Sequence, residues 1–153
     1  MKEDVHISDQ ELLCQDLSQT EQRALLVHLL YALESFDYDA SLNAIVDNFA
    51  RGFGVVISKE SDVYKKADAI IREREELDTL IVPLIANWRI DRLGVVTRLI
   101  LRISLWELRH TTLDKSVVIN EAIELAKCFA EKDAYKFING VLDEYCKREA
   151  CSP

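Results

Sequence analysis

Apolar residues recur every three to four positions along almost the whole chain, and no stretch alternates with the period of two that a half-buried strand demands. Only four glycines and two prolines interrupt this pattern, so few points exist where a helix must end. Apolar residues make up 49% of the 153 positions and charged residues 30%, enough of each for a buried core and a solvated helical surface. An all-α fold is therefore expected, with about seven helices in two small helical subdomains packed together.

The helices are delimited by local chemistry. Residues 1–17 mix acids with a few apolar positions and read as a flexible N-terminal extension of one or two helical turns. Ser18 or Thr20 is the N-cap of a first helix that runs to about Ser35, and the Asp37–Asp39 stretch breaks it. Leu42, Ile45, Val46, Phe49 and Phe53 make the apolar face of a second helix, with Gly52 and Gly54 as its C-terminal signal. A cut near residue 55 separates an N-terminal subdomain, 18–55, from a C-terminal one, 61–148, within a single domain covering 18–150.

In the second part, the REREELD run is either a solvated face or a break between two helices, and Pro83 forces a kink or a restart. Asp91 is placed to cap the next helix, whose Leu93, Val96, Ile100, Leu101, Leu105 and Leu108 face inward while Arg92, Arg98, Arg102 and Arg109 take the other positions. Two more amphipathic helices follow. Val118, Ile119, Ala122, Leu125, Ala126 and Phe129 form the stripe of one, and Phe137, Ile138, Val141, Leu142 and Tyr145 that of the other.

The net charge of −8 argues against binding nucleic acid through bulk electrostatics. Its distribution is uneven, with net −7 over residues 1–60 and net −1 over 61–153, so a polyanion would be met by the second part. The longest uncharged apolar run, Leu80–Ala86, is far short of the ~20 residues that span a bilayer. Without a basic-then-apolar leader and with four scattered cysteines (Cys14, Cys128, Cys146, Cys151), free thiols in the cytoplasm are expected. His6, His28 and His110 lie in different elements, no zinc-ligand spacing occurs, and no nucleophile elbow or phosphate-cradling glycine loop is found. No catalytic residue, metal or cofactor is expected.

The segment Val117–Asp143 holds the least bland polar residues. Asn120 and Asn139 stand inside apolar helical runs, and Gly140 follows the second. They either cap or bond across a helix bundle, with Gly140 permitting close helix approach, or they shape a ligand-facing surface. Lys127, Lys132 and Lys136 lie near Tyr135 and Phe137, a mixture of cation and aromatic ring that suits single-stranded RNA and that also occurs on ordinary solvated surfaces.

Several blocks of this sequence resemble the NusB family. They are Asn87–Leu108 (NWRIDRLGVVTRLILRISLWEL), VVINEAIELAKCF, KFINGVLD and, more loosely, Arg23–Glu34 (RALLVHLLYALE). The resemblance implies a fold of two helical subdomains and a function without catalysis. It implies pairing with the small-subunit ribosomal protein also called NusE, recognition of boxA RNA, and read-through by an RNA polymerase antitermination complex in ribosomal RNA operons. By matched position it assigns Arg23, Lys127, Lys132 and Lys136 to RNA contact, with Asp133 bordering that surface. It assigns Tyr31, Arg102 and Glu107 to the protein-partner surface or its support. The family's arginine-rich tract before the first helix is replaced here by DLSQTEQR, which removes several phosphate contacts. An alternative role is therefore a protein-interaction module with little RNA affinity, akin to the same domain fused to ribosomal-RNA cytosine methyltransferases.

Overall fold

The computed structural model describes residues 12–85 and 88–150, and among them the regular structure is almost entirely helical. Seven α-helices follow in order: α1 (Gln19–Ser35), α2 (Leu42–Phe53), α3 (Asp62–Arg72), α4 (Arg74–Ile81), α5 (Val95–His110), α6 (Lys115–Phe129) and α7 (Ala134–Ala150). Two compact units divide between Ala69 and Ile70, inside α3, whereas the glycine signal near residue 55 marks only the end of α2.

In the first unit, Ser18 begins α1 with a reciprocal capping box. The Glu21 N–H donates to Ser18 Oγ at 3.1 Å, and the Ser18 N–H donates to Glu21 Oε1 at 2.9 Å, so two otherwise orphaned amides are satisfied. Hydrogen bonding to the carboxylate, first from the Ser18 N–H and then from the Ser18 side chain, holds the Glu21 carboxyl below its ordinary range. The helix ends where Asp37 (φ 52°) and Tyr38 (φ 63°) take left-handed backbone, letting the Tyr38 N–H return to the Leu33 carbonyl at 2.9 Å. Ser41 caps α2 through the Ala44 N–H at 3.1 Å, and Gly54 (φ 70°) closes it by donating to the Ala50 carbonyl. Phe53, expected on the apolar face, is 74% exposed because it lies in the last turn of α2, with its ring tilted against Phe49 at 5.2 Å.

No alternating pattern marks a strand in the sequence, yet Leu12–Leu13 (β1) pairs in parallel with Val55–Val56 (β2), in register Leu12↔Val55 and Leu13↔Val56. A 3-10 turn at Cys14–Asp16 then buries Cys14 completely. Residues 12–17 are thus part of the first unit rather than a frayed extension, while residues 1–11 lie outside the described residues. Two-residue strands are too short to show any alternation, and the partner lies some forty residues away in sequence, beyond the reach of local patterning.

The second unit is organised around α5. Every residue from Leu99 to Leu105 is buried, and α4, α6 and α7 all pack on this helix. A helix enclosed on all sides buries its polar residues too, and Arg102 is the consequence. Expected on the polar face, it is only 5% exposed and grips Asp78 of α4 with two parallel bonds, Nε to Oδ1 and Nη2 to Oδ2, each 2.7 Å. The two helices run antiparallel with further polar rungs. Arg109 Nη2 meets Glu76 Oε1 at 3.2 Å, Trp106 Nε1 donates to Glu73 Oε2 at 3.3 Å, and His110 Nε2 lies 2.9 Å from Glu73 Oε1. Glu73 itself is the one-residue break between α3 and α4, so the acidic run is both a break and a paired face.

Pro83 restarts the chain as a 3-10 turn over Val82–Leu84. Asp91 does not cap α5; it lies inside a further 3-10 turn, Ile90–Arg92, and Gly94 is the N-cap residue. Along α6 and α7, Val118, Ala122, Leu125 and Ala126 face Ile138, Val141 and Leu142 across a closely packed helical hairpin. Phe129 ends α6 partly exposed. Tyr145 is buried near the end of α7, and burial, reinforced by its hydroxyl donating to Glu149 Oε1 at 3.0 Å, pushes its pKa up to about 12.

Three outcomes follow from this packing. Gly54→Ala should lower stability by about 1 kcal/mol because alanine is strained at φ 70°, while Gly52→Ala, helical and open on its Cβ side, should raise it by roughly half a kcal/mol. Urea denaturation of the two variants measures both. Asp78→Ala should cost about 2–3 kcal/mol, seen as a lower urea midpoint at unchanged slope, because it strips a carboxylate from a buried guanidinium. For Tyr145, the folded-state pKa lies above the unfolded one. Its contribution is therefore complete below about pH 10 and is lost as pH rises towards 12. Tyr145→Phe should flatten that part of a stability-against-pH curve.

Candidate functional site

The turn between α6 and α7 gathers the cations that the sequence reading singled out. The Ala130 N–H closes α6 on the Ala126 carbonyl, and the Ala134 N–H bonds the Glu131 carbonyl at 3.0 Å. Asp133 (φ 68°) turns the chain in left-handed backbone, which aspartate tolerates better than most residues. Lys127 in the last turn of α6, Lys132 in the connection and Lys136 in the first turn of α7 are thereby presented at one end of the hairpin, all exposed.

Two of these lysines share one aromatic ring. Lys127 Nζ lies 4.9 Å and Lys136 Nζ 5.9 Å from the centre of the half-buried Tyr135 ring. Lys127 suits the negative end of α6, whereas Lys136 stands at the positive end of α7, where a cation is disfavoured. Its link to Asp133 Oδ1, 3.8 Å long and exposed on both sides, offsets little of that. Helix stability therefore does not explain Lys136.

Beside this turn lies a cleft of about 390 Å³ with walls from Trp88, Leu93, Gly94, Thr97, Ala134 and Phe137. Trp88 is 60% exposed and meets the Phe137 ring edge-on at 6.2 Å. Arg92, Lys132, Glu131 and Asp133 supply charges around the apolar walls. Glu131 folds its carboxylate over the start of α5, where it accepts from Thr97 Oγ1 at 3.3 Å. A Cβ on Gly94 would stand 2.7 Å from Glu131 Oε2, so the glycine is what admits the carboxylate. Such a cleft can take an apolar or aromatic group while its rim discriminates charge.

The other residues singled out in the sequence fall elsewhere. Arg23 is on α1, in the first unit, and at 7% exposure offers almost no surface to a polyanion. Tyr31, also on α1, is half exposed and available to a partner. Arg102 and Glu107 are buried in α5 and present almost no surface. Asn120 and Asn139 are exposed in the middle of α6 and α7 and cap neither helix. A Cβ on Gly140 would meet nothing within 4 Å, so this glycine serves no close helix approach. Of the two alternatives that the sequence leaves open for these three, capping or close packing across the bundle is not observed, and all three positions are exposed.

Trp88, Thr97 and Glu131 were not picked out as site residues from the sequence. Trp88 carried a local signal in retrospect, an aromatic between a kinked helix and a turn, but Thr97 and Glu131 meet only through the fold. Among the described residues no three His, Cys, Asp or Glu side chains group as a metal site, and no helix is long and apolar enough to cross a membrane.

Comparison with known proteins covers nearly the whole chain. The profile of the NusB family matches residues 20–147. The transcription antitermination protein NusB of Macrococcus caseolyticus is 35% identical over 136 residues, 88% of this chain and 100% of that protein. Its counterpart from Campylobacter curvus is 39% identical over 121 residues, 79% of this chain and 90% of the relative. In three dimensions, NusB of T. maritima superposes with a TM-score of 0.74 at 28% identity, covering 86% of this chain and 92% of that one. A chain from the crystal structure of a plectonemic RNA supercoil superposes at 0.72 with 26% identity, covering 89% of this chain and 100% of that one. The long helical match in sequence and the agreement in fold lead to one conclusion: this chain belongs to the NusB family.

Proposed function

We propose that this protein is a non-catalytic transcription antitermination factor. It binds boxA-type single-stranded RNA together with the small-subunit ribosomal protein also called NusE, as part of an RNA polymerase antitermination complex that promotes read-through in ribosomal RNA operons. The observation that carries this reading is the α6–α7 turn, where Lys127 and Lys136 flank Tyr135 and Lys132 lies in the connection between the helices, in a chain whose net charge is −8. Ammonium groups neutralise phosphates and release their counterions, and an aromatic ring in their midst suits unpaired bases. The names of the relatives agree with it. Asp133 borders this surface, and its charge disfavours a phosphate placed directly on it.

The adjoining cleft is assigned to the protein partner. Its apolar walls and exposed Trp88 suit a buried anchor side chain better than a phosphate backbone does. Tyr31 is a second partner contact in this reading, and Arg102 and Glu107 support the surface from within α5.

A second reading is favoured by a specific observation. With Arg23 buried and the preceding tract reading DLSQTEQR, the basic surface is reduced to the turn, and the cleft is the more developed feature. The protein would then be a protein-interaction module with weak RNA affinity, like the domain fused to ribosomal-RNA cytosine methyltransferases.

A salt titration of RNA binding, with and without the ribosomal protein, separates the two. Neutralising three phosphates on a single strand predicts a slope of about −2 in log K against log salt. The triple variant Lys127→Gln, Lys132→Gln, Lys136→Gln should abolish most of that slope and weaken binding at least about tenfold at low salt. Equal affinity for boxA-type and scrambled RNA would sink the antitermination reading. Capture of the ribosomal protein with no RNA retained would favour the interaction module.

A further inference from the structure

We infer that the Tyr135 ring is a stacking platform for one unpaired base of the bound RNA, held open by Lys127 and Lys136, which leave the ring for the flanking phosphates when RNA arrives. The inference rests on the RNA-binding reading above and adds a residue and an exchange of contacts to it.

The ring occupies an unusual place. It is the second residue of α7, between the last turn of α6 and the first turn of α7, and its neighbours Ala134 and Ile138 are buried while it remains half exposed. Two ammonium groups lie within 6 Å of its centre, 4.9 Å for Lys127 and 5.9 Å for Lys136, and both lysines are themselves exposed. Each sits on a flexible four-carbon stem with little else to hold it, so either can swing away at small cost. Lys136 is further set against the helix dipole, which makes it the readier of the two to leave for a phosphate.

An unpaired nucleotide matches this arrangement point for point. Its base is a flat π surface that replaces the ammonium over the ring, and its flanking phosphates are anions that replace the ring under the ammonium. No contact is lost without a stronger one in its place. The backbone amides on either side are already engaged, since the Ala134 N–H bonds Glu131 and the Lys136 N–H bonds Asp133, so the platform is held rigidly while the lysines move. A purely structural clasp between α6 and α7 would use the same contacts, but it would not respond to the presence of a base.

The test uses the full chain, a boxA-type RNA oligonucleotide and a set of the same oligonucleotide carrying one abasic site at each position in turn. Tyr135→Phe should bind within about twofold of the unaltered protein, whereas Tyr135→Ala and Tyr135→Leu should lose about 5- to 100-fold at unchanged salt slope. Leucine keeps apolar bulk and lacks the π face, so its loss isolates stacking from packing. Lys127→Gln should instead reduce the salt slope by about 0.7. On the oligonucleotide whose abasic site falls at the stacked position, the unaltered protein and Tyr135→Ala should bind equally. Equal binding of Tyr135→Ala and the unaltered protein to intact RNA would overturn the stacking role, as would a loss of the same size on every abasic RNA. If the unaltered protein binds no RNA with or without the ribosomal protein, the RNA reading itself falls and this inference with it.

Discussion

A guanidinium taken out of water has to be met by a carboxylate, and in the second unit that requirement ties α4 to α5. Arg102 lies within seven consecutive buried residues of α5, and Asp78 answers it with both oxygens. Apolar packing would hold α4 on α5 at many rotations, whereas a two-pronged bond admits one. The outer rungs, from Arg109 to Glu76 and from Trp106 and His110 to Glu73, extend the same alignment towards the break between α3 and α4. Being partly exposed, they contribute less energy than alignment. With α5 so placed, α6 and α7 pack against it, and their connection comes to lie beside its N-terminus.

That last consequence links fold to function. Glu131, in the α6–α7 connection, reaches Thr97 across the glycine at the start of α5, and the cleft with Trp88 and Phe137 forms around this contact. Lys127, Lys136 and Tyr135 meet at the same connection, and Lys132 lies on the cleft. A few residues of turn thus border two chemically different surfaces, one apolar and one cationic.

How far the sequence alone reached depended on the range of the physics involved. Capping and periodicity act within a few residues, and a cap at Ser18 or Thr20, the α2 face with its glycine stop and the two stripes of α6 and α7 were legible there, whereas the acidic run left a solvated face and a helix break as alternatives. The β1–β2 pairing was not, since two residues carry no pattern and their partners are distant. Nor was the burial of Arg23 and Arg102, because an arginine in a helical pattern looks solvated until the surroundings of that helix are known. Asn120, Asn139 and Gly140 stand out in the sequence as odd residues, but whether they faced a neighbour or solvent could not be read from their helices alone.

The helices, their order and the resemblance that assigns the family are properties of the sequence by itself. They follow from hydrophobic spacing, caps and motif blocks, all of which are written along a single strand of residues. Which lysines share a ring, which arginine needs a carboxylate and where an apolar cleft opens were decided only by the tertiary structure. Each of those is a distance between residues on different elements, such as Thr97 and Glu131 or Arg102 and Asp78, and such distances exist only once the helices have packed.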